Sequence, residues 1–412
     1  MRILFLTENF PPEVNAAATR VHERGVYWVK DGHEVTVVTC FPNFPQGKLY
    51  QGWRQRLYQV DVVDGIRVVR LPTYVARNEG FARRSADFIS FMIAAVVATP
   101  WLPRSDVVVA TSPQFFAAVA GWAIAGLKGR PFVFELGDLW PASIRAVGAM
   151  RDSWVLDALE RVELFLYRRS AAVVALTPAF KRDLARRHID PDKVAVVMNG
   201  VDLPRYSPRP KDPELLRRHV LEDKFVIGYV GTHGLAHDLG NVVSAAELLR
   251  DVPAIRFLLV GDGAAKAAVC GVAVARGLDN IVFVDAQPKE RMPAYWSICD
   301  LALVHLRNDP VFAEVIPSKM FEAMAMGLPI LLVAPPGEAS GIVERERAGL
   351  VIAAGDPAAL ARAARDLYAD RRRRDALAAA SLDAAPRYSR RHQATAMLAV
   401  LERAARREVP VQ

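Results

Sequence analysis

Cysteine is scarce in this chain of 412 residues, and so is histidine, with 3 and 8 copies respectively. Cys40, Cys270 and Cys299 are an odd number without paired spacing, which argues against a disulfide framework and for a reducing compartment. No histidine or cysteine cluster has the spacing of metal ligands. The sequence therefore predicts a cytoplasmic protein without a metal site.

Long hydrophobic runs are also missing. Two stretches carry no charge, 88–103 and 107–127, but the first is shorter than the roughly 20 residues of a membrane-spanning helix. The second is interrupted by Thr111-Ser112-Pro113, which predicts a buried strand followed by an apolar helix. Core packing is the favoured interpretation of both stretches. The alternative for the first is a peripheral contact with the inner membrane, made beside Arg83 and Arg84 by a set of apolar side chains: Phe88, Phe91, Met92 and Trp101.

Several catalytic signatures are absent. The chain has no P-loop, no Gly-x-Ser-x-Gly elbow and no short repeats. The segment 261–266 begins like a dinucleotide fingerprint, but Lys266 stands where the third glycine belongs, so the indication of NAD binding is weak. Asp190-Pro191-Asp192 could be a metal-binding acid pair, but its flanks favour a turn between a helix and a strand.

The overall composition is that of a globular protein. Hydrophobic residues make up 52% and charged residues 24%, which predicts two or three domains with sizeable cores. The net charge of +8 includes the arginine run 371–374. This excess indicates either a solvated helix face or attraction to anionic phosphates of a nucleotide or a membrane.

Short β-branched runs alternate with helical patterns along the whole chain, which predicts an α/β fold with parallel sheets. The alternation stops near 203–223 and then restarts, so we expect two Rossmann-like, doubly wound domains that face each other across a cleft. The first is expected at 1–203 and the second at 204–387. The expected strands are 3–7, 34–39, 66–71, 107–111, 132–136, 173–177, 194–198, 225–230, 256–260, 281–284, 301–306, 329–333 and 350–353.

Two carboxylates, Glu314 and Glu322, bracket a helix-start signal. Pro317 or Ser318 suits the first position or cap of a helix, which places Glu314 on the approach loop and Glu322 within the first turns. The unpaired N–H groups of a first turn form an anion site, to which Lys319 adds charge. This one segment could therefore hold a sugar on Glu314, a diphosphate on the amides and a ribose on Glu322.

The segment 314–329, which contains Pro-Ser-Lys-Met-Phe-Glu-Ala-Met-Ala-Met-Gly-Leu-Pro, resembles the donor-site signature of family 4 retaining glycosyltransferases of GT-B architecture. The resemblance implies a donor-binding second domain and a last helix, 388–405, that returns to an acceptor-side first domain. It also implies transfer of a sugar from a nucleotide diphosphate, expected to be UDP, without a metal or other cofactor. Glu314 is then expected nearest the reacting sugar, as one of two catalytic candidates.

Two glycine-type loops extend the resemblance. At Asn15-Ala16, relatives usually carry a Gly-Gly pair that approaches the donor; asparagine tolerates a left-handed backbone and alanine is small. Gly231-Thr232-His233 matches the phosphate loop of the second domain, but the arginine and lysine common there are replaced by Thr232 and His237. Lys266 and Lys319 are the candidates to neutralise the diphosphate instead.

Asp138 is the second catalytic candidate, because it follows a buried strand within Asp-Leu-Trp-Pro; the alternative is a plain helix cap. The sequence looks like a subgroup that transfers N-acetylated deoxy sugars, such as N-acetyl-L-fucosamine, in bacterial surface-polysaccharide assembly. A polyprenyl-diphosphate-linked saccharide is then the expected acceptor, and nucleic acid is not expected as a partner. The competing functions are a nucleotide-sugar epimerase of the same architecture, an NAD oxidoreductase and a non-catalytic nucleotide-sugar sensor.

Overall fold

The computed structural model describes residues 1–13, 15–44, 47–75, 81–112, 115–139 and 154–406; at residue 16 and residues 81–84 it describes the backbone alone. The chain divides into two compact units. One comprises Met1–Met198 and the chain from Arg391 onward, and the other comprises Asn199–Arg390. The functional domain boundaries given above, at 203/204 and 387/388, stay a prediction.

The first unit is built on an eight-stranded sheet with the order β3-β4-β2-β1-β5-β6-β7-β8. Neighbouring strands from β4 to β8 are parallel. The strands are β1 (Arg2–Leu6), β2 (Glu34–Cys40), β3 (Gln59–Val63), β4 (Ile66–Leu71), β5 (Val107–Thr111), β6 (Phe132–Leu136), β7 (Ala172–Ala175) and β8 (Val194–Val196).

Helices cover both faces of this sheet. They are α1 (Ala16–Lys30), α2 (Phe81–Val97), α3 (Phe115–Lys128), α4 (Trp154–Arg169), α5 (Pro178–Arg186) and, at the end of the chain, α14 (Arg390–Arg406). Alternate residues of β1 enter different cores: Leu4 and Leu6 pack in the cluster that α2 to α5 cover, whereas Ile3 and Phe5 pack in the cluster that α1 and α14 cover. This alternation is what a strand with two buried faces requires.

One strand of the first unit was not predicted from the sequence. β3 pairs with β4 antiparallel, as the outer strand of a hairpin. Asp64 and Gly65 form its turn, with φ values of 49° and 81°. Asp-Gly is the preferred pair for such a two-residue turn, so the signal was present in the sequence. The prediction of a wholly parallel first half was wrong at this edge.

The second unit has a six-stranded parallel sheet with the order β11-β10-β9-β12-β13-β14. Its strands are β9 (Phe225–Val230), β10 (Ile255–Val260), β11 (Ile281–Val284), β12 (Leu301–His305), β13 (Ile330–Val333) and β14 (Gly349–Ile352). Its helices are α6 (Pro213–Arg218), α7 (Leu239–Glu247), α8 (Lys266–Ala275), α9 (Met292–Ser297), α10 (Lys319–Ala325), α11 (Glu338–Arg345), α12 (Pro357–Ala369) and α13 (Arg371–Ala384). The strand order reverses between β9 and β12, and ligands of such folds bind at the carboxyl ends of strands at that point.

The last helix, α14, packs on the first unit. Trp28 donates its indole N–H to the carbonyl oxygen of Ala394 at 2.9 Å, and Arg391 pairs with Asp31 at 2.8 Å. Met397 and Leu401 complete the apolar core under α1. The helix is therefore part of the hydrophobic core of the first unit.

The second uncharged stretch is mainly core, as predicted, whereas the first is buried at some positions and exposed at others. Residues 107–111 form β5, and residues 115–127 form most of α3. In the other stretch, Phe91 is fully buried and Met92 is partly buried against the core, so the alternative of a peripheral membrane contact is contradicted for Phe91. In the part of the chain that the structure describes, no helix combines the length and apolarity needed to cross a membrane.

Candidate active site

The loop after β9 is held against the loop after β10 by backbone contacts. Gly231 N–H bonds to the Val260 carbonyl at 2.9 Å, and His233 N–H bonds to the Asp262 carbonyl at 2.8 Å. A Cβ atom at Gly261 would lie 1.9 Å from the Gly231 carbonyl oxygen. A glycine is therefore required there by the packing of two loops, and the glycine pattern at 261–263 needs no dinucleotide to explain it.

α10 begins between the two carboxylates, as the spacing predicted. It starts at Lys319, after a buried Pro317 and an exposed Ser318 at the cap position. The Ser318 side chain makes no capping hydrogen bond. Among the described residues, the backbone N–H groups of Ser318 and Lys319 make no hydrogen bond. These two amides are free to bind a ligand.

Glu322 lies in the first turn of α10, with its carboxylate in polar contact. Trp296 of α9 donates its indole N–H to Oε2 at 3.2 Å, and the Tyr206 hydroxyl lies near enough to act on the pKa of the carboxylate. Burial raises the pKa of Glu322, while the hydrogen bond from Trp296 and the nearby Tyr206 hydroxyl lower it. The carboxylate is thus held in one orientation at the start of the helix.

The Lys319 side chain folds back over the aromatic face of Tyr229. Its Nζ lies 3.7 Å from the ring centroid, is buried, and makes no hydrogen bond among the described residues. A Cβ at Gly231 would lie 2.8 Å from this nitrogen, so the ammonium group also touches the phosphate loop. Burial lowers the pKa of Lys319 to about 7, although Glu322 acts in the opposite direction.

Three histidines surround the same position. His233 and His305 are fully buried, and His237 donates Nδ1–H to the His305 carbonyl at 3.2 Å. Burial is the largest cause of the lowered pKa of all three imidazoles. The pKa is about 4 for His233 and His237 and about 3 for His305. The charge of Lys319 lowers all three further. The imidazoles are neutral at pH 7.

Two of these buried rings, those of His233 and His305, have nitrogen atoms without a hydrogen-bond partner among the described residues. Neither ring nitrogen of His233 has a partner among the described residues. The Asn241 amide donates to His305 Nε2 at 2.7 Å, which leaves the proton on Nδ1, and that nitrogen is also buried without a partner. Buried polar atoms are almost always hydrogen-bonded in native proteins. A cluster of unpaired donors and one amine at the switch point therefore indicates a site for an anionic, oxygen-rich ligand.

Glu314 ends a short 3₁₀ turn, Pro310–Glu314, just before α10. This turn is fixed from behind by Gly337, where a Cβ would lie 2.0 Å from the Ala313 carbonyl oxygen. Ser340 completes the contact by accepting a hydrogen bond from Gly337 N–H at 2.7 Å. Any side chain at position 337 would displace the segment that carries Glu314.

Lys266, the other lysine proposed for the diphosphate, is already engaged. Its Nζ bonds to Asp285 at 2.5 Å and to the Gly261 carbonyl at 3.0 Å. Lys266 thus fastens the glycine loop at the start of α8. Of the two lysines, Lys319 is the one whose amine remains without a partner among the residues described.

In the first unit, Asn15 caps α1. Its Oδ1 accepts a hydrogen bond from Ala18 N–H at 2.8 Å, and its φ of −139° is extended. The left-handed backbone suggested as the reason for asparagine at this place was therefore wrong. The side chain of Ala16 lies outside the described residues. Asp138 follows β6, where its backbone N–H bonds to Ser112 Oγ at 3.4 Å; the Trp140-Pro141 part of its motif also lies outside.

A buried ion triad lies behind this edge of the first sheet. Glu135 of β6 is fully buried and pairs with both Arg20, at 3.2 Å, and Arg24 of α1. Arg20 also donates to the Thr111 hydroxyl at 3.2 Å. Burial acts against ionisation of Glu135, but the two guanidinium groups lower its pKa to about 2. The triad fastens α1 to the ends of β5 and β6.

Comparison with known proteins agrees with this geometry. The model of the family described as "Glycosyl transferases group 1" matches residues 212–382, and that of the "Glycosyl transferase 4-like domain" matches residues 15–200. The chain is a GT-B glycosyltransferase of the family 4 type. Each of the two compact units of the chain therefore corresponds to one of the two family models.

This glycosyltransferase is 26% identical over 343 residues to "Putative colanic acid biosynthesis glycosyl transferase WcaI" of Escherichia coli, covering 79% of this chain and 82% of the relative. It is 28% identical to 2-deoxystreptamine N-acetyl-D-glucosaminyltransferase of Streptomyces fradiae over 335 residues, 78% of this chain and 77% of the relative.

Solved structures show the same fold. Sucrose-phosphate synthase from Thermosynechococcus elongatus matches with a TM-score of 0.77 at 18% identity, covering 98% of each chain. HepE from Anabaena, in complex with UDP, matches with a TM-score of 0.74 at 19% identity, covering 98% of this chain and 100% of the other. The predicted α/β fold with two doubly wound parallel sheets is confirmed.

Several residues of the glycosyltransferase's candidate site were not predicted from the sequence. Tyr229, Trp296 and His305 are buried and contact Lys319, Glu322 and Asn241 respectively. Each lies inside an apolar run and looks like core. Only His305 carried a signal, since it is a polar residue at the carboxyl end of a buried strand, next to the switch point.

Proposed function

We propose that this glycosyltransferase is a retaining, metal-independent enzyme that moves a sugar from a nucleotide diphosphate to a saccharide acceptor. The observation that carries the proposal is the unpaired amine of Lys319 among the neutral histidines at the carboxyl ends of β9 and β12. A diphosphate there would accept hydrogen bonds from that amine, from His305 Nδ1–H and from the free amides that begin α10. The ribose hydroxyls would bind Glu322.

The chemistry follows from these roles. The bond between the anomeric carbon and the diphosphate oxygen breaks, a bond to the acceptor oxygen forms on the same face, and the acceptor proton passes to the departing phosphate. Donors aimed at the leaving oxygens stabilise the charge that develops on them. The protein's own cation and N–H groups supply this stabilisation in the proposal, and Glu314 contacts the sugar hydroxyls. In the proposal Asn15 and Ala16 contact the donor, and Asp138 contacts the acceptor or the donor.

The donor base and the sugar are proposed from the relatives. The HepE structures are named as complexes with UDP, with UDP and glucose, and with UDP-glucose. One relative is named as an N-acetylglucosaminyltransferase and another as an enzyme of colanic acid biosynthesis. UDP and an N-acetylated hexosamine, including its deoxy form, are therefore the proposed donor parts. A polyprenyl-diphosphate-linked saccharide of a surface polysaccharide is the proposed acceptor.

The test of the donor site is a thermal-shift panel with UDP, GDP, ADP, dTDP and NAD. A ligand at about 100 times its dissociation constant adds roughly 2.7 kcal/mol to the free energy of unfolding. We expect UDP to raise the melting temperature and NAD to leave it unchanged. A shift with NAD alone would overturn the proposal, and so would the absence of a shift with every nucleotide of the panel. Formation of a new nucleotide sugar without an acceptor would favour the epimerase instead.

Substitutions of the two carboxylates, Glu314 and Glu322, should have different effects on UDP binding and on kcat. We expect Glu322→Gln to weaken UDP binding at least tenfold, because the ribose loses a charged acceptor. Glu314→Gln should leave UDP binding within twofold but lower kcat by about 10²-fold, since its partner is the transferred sugar. Titration with UDP and steady-state rates with the donor sugar measure both effects.

The control for these variants is Glu344→Gln, which removes an exposed carboxylate on α11. It should change neither UDP affinity nor kcat. If Glu314→Gln weakens UDP as strongly as Glu322→Gln does, the division of roles between the two carboxylates is wrong.

We also propose that the first unit rests on the membrane that holds the acceptor. Ile93 and Val97 of α2 are 54% and 62% exposed, and Trp101 is 67% exposed. The Tyr58 hydroxyl bonds to the Trp101 carbonyl at 3.2 Å, and the residue before Tyr58, Leu57, is 89% exposed. Exposed arginines flank this surface at positions 54, 56 and 104. The side chains of residues 83 and 84 are outside the described part.

An apolar surface with a basic margin suits an anionic bilayer interface. We expect Ile93→Glu with Val97→Glu to reduce flotation with vesicles of phosphatidylglycerol and phosphatidylethanolamine by tenfold or more. The matched control is Val274→Glu, since Val274 is 79% exposed on α8 of the second unit. Equal flotation of wild type and double variant would contradict the membrane contact.

A further inference from the structure

The surroundings of Lys319 are poorly suited to a charged amine. The nitrogen is buried against the Tyr229 ring at 3.7 Å and touches the Gly231 backbone. A ring face attracts an ammonium group, but this attraction replaces only part of the hydration that burial removes. Among the described residues, no oxygen or nitrogen atom bonds to Nζ. An isolated buried ammonium group is costly, so the amine tends to lose its proton.

The titratable groups that face Lys319 do not offset this cost. On β9 the neighbour is Tyr229, whose hydroxyl donates to the Thr232 carbonyl at 2.7 Å and whose pKa is raised by burial. From the β9 loop and β12 come the neutral rings of His233, His237 and His305. The acid on the same helix, Glu322, raises the pKa of Lys319, but its carboxylate already accepts a hydrogen bond from Trp296.

Charged groups of both signs lie farther from Lys319. Lys266 and Asp262 both act on His233, in opposite directions, and Lys266 is itself paired with Asp285. The acids nearest to the histidine cluster are thus engaged or offset. A dianionic or trianionic ligand would be the first strong negative charge brought against the Lys319 amine.

We propose that this site binds its nucleoside diphosphate together with a proton, which Lys319 takes from solvent as the ligand enters. The inference rests on the proposed function, because it requires a diphosphate at this position. In the empty site the amine lies on Tyr229 and is mostly neutral at pH 8. In the complex it is an ammonium ion bonded to phosphate oxygens, and the proton returns to solvent when the product nucleotide leaves.

Proton uptake makes the enzyme's affinity for the donor depend on pH. The folded protein holds the pKa of Lys319 at about 7, below its ordinary value of 10.5. A bound diphosphate stabilises the charged form and raises that pKa again. Above pH 7, therefore, each unit of pH should weaken UDP binding by up to about tenfold. Below pH 7 the amine is already charged, and the dependence on Lys319 fades.

The test is calorimetric titration of the full-length protein with UDP at pH 8, in buffers of different ionisation enthalpy. The slope of the binding enthalpy against the buffer enthalpy gives the number of protons taken up. We expect about 0.8 proton per UDP, since an amine with a pKa of about 7 is roughly nine-tenths deprotonated at pH 8. Ligand phosphates, with a pKa near ~6, are already ionised at this pH and do not contribute.

Lys319→Arg is the matched variant, because a guanidinium group stays charged at pH 8. It should bind UDP with an uptake below about 0.2 proton. Lys319→Met, which has no ionisable group, should bind more weakly and also without uptake, so either variant suffices if the other fails to fold. His233→Gln should keep the uptake of the wild type.

The outcomes separate this inference from the proposed function. Binding of UDP to the wild type without proton uptake overturns the inference and leaves the donor site in place. Unchanged uptake in Lys319→Arg also overturns it and assigns the proton to the histidines. If none of UDP, GDP, ADP and dTDP produces binding heat or a thermal shift, the proposed function itself has failed.

Discussion

Replacing Lys319 with methionine should stabilise the empty protein while it removes function. Methionine has nearly the same length, fills the same space on Tyr229 and carries no charge. Exchange of a buried ion for an apolar side chain often raises the free energy of unfolding by about 1 to 4 kcal/mol. We therefore expect a higher melting temperature at pH 6, a smaller UDP-induced shift than in the wild type, and a loss in kcat/KM of about 10² to 10³-fold.

The pH dependence of this stabilisation has a defined sign. The folded pKa of Lys319, about 7, lies below its ordinary value of 10.5, so the unfolded chain binds the proton more tightly. The burial cost is complete below pH 7 and disappears as the pH rises towards 10.5. The gain of Lys319→Met over wild type should thus be larger at pH 6 than at pH 9.

Chemical unfolding at pH 6 and pH 9, with and without UDP, measures the effect. The exposed Lys48 provides the control, because Lys48→Met should change the free energy of unfolding by less than about 0.5 kcal/mol at either pH. Destabilisation by Lys319→Met at pH 6 would mean that the amine has a compensating partner in the native protein. A variant that still responds fully to UDP would remove Lys319 from the diphosphate site.

Replacing Gly261 with alanine should displace the phosphate loop. The new Cβ would lie 1.9 Å from the Gly231 carbonyl, which is backbone and cannot rotate away. The φ of Gly261, 150°, adds backbone strain to this overlap. We expect a loss of at least ~2 kcal/mol in the free energy of unfolding and a loss of UDP affinity greater than tenfold.

The same substitution at Gly271 is the matched control. Gly271 lies within α8, which follows the same loop, and nothing lies within 4 Å of a Cβ built there. Alanine should therefore stabilise the protein by about 0.5 to 1 kcal/mol and leave UDP binding unchanged. If Gly261→Ala folds with wild-type stability and affinity, the contact between the two loops is not what fixes the phosphate site.

The start of α10 between the two carboxylates could be predicted from the sequence. Pro317-Ser318 after Glu314 signals a helix start, and α10 begins at Lys319 as expected, because helix initiation depends on residues adjacent in sequence. The strands of both sheets followed from apolar runs for the same local reason. Strand β3 was missed, since its alternation is weak and its pairing depends on the Asp64-Gly65 turn.

The chemistry of the candidate site was harder to predict from the sequence than the fold was. Lys266 and Lys319 look equivalent in the sequence, and only the fold shows one paired with Asp285 and the other buried without a partner among the described residues. The pKa of a side chain depends on burial and on charges that come from distant parts of the chain. The roles of Tyr229 and His305 depend on the same packing, because each belongs to an apolar strand that any core would contain.

The sequence by itself determined the fold class, the alternation of strands and helices, the start of α10 and the resemblance to family 4 glycosyltransferases. These features depend on period, caps and motifs that are local in the chain. Only the tertiary structure decided that Gly261 is required by a second loop, that Glu322 is held by Trp296, and that Lys319 meets three neutral histidines. Such facts depend on atoms brought together from separate strands, and no local pattern records their distances or the water excluded between them.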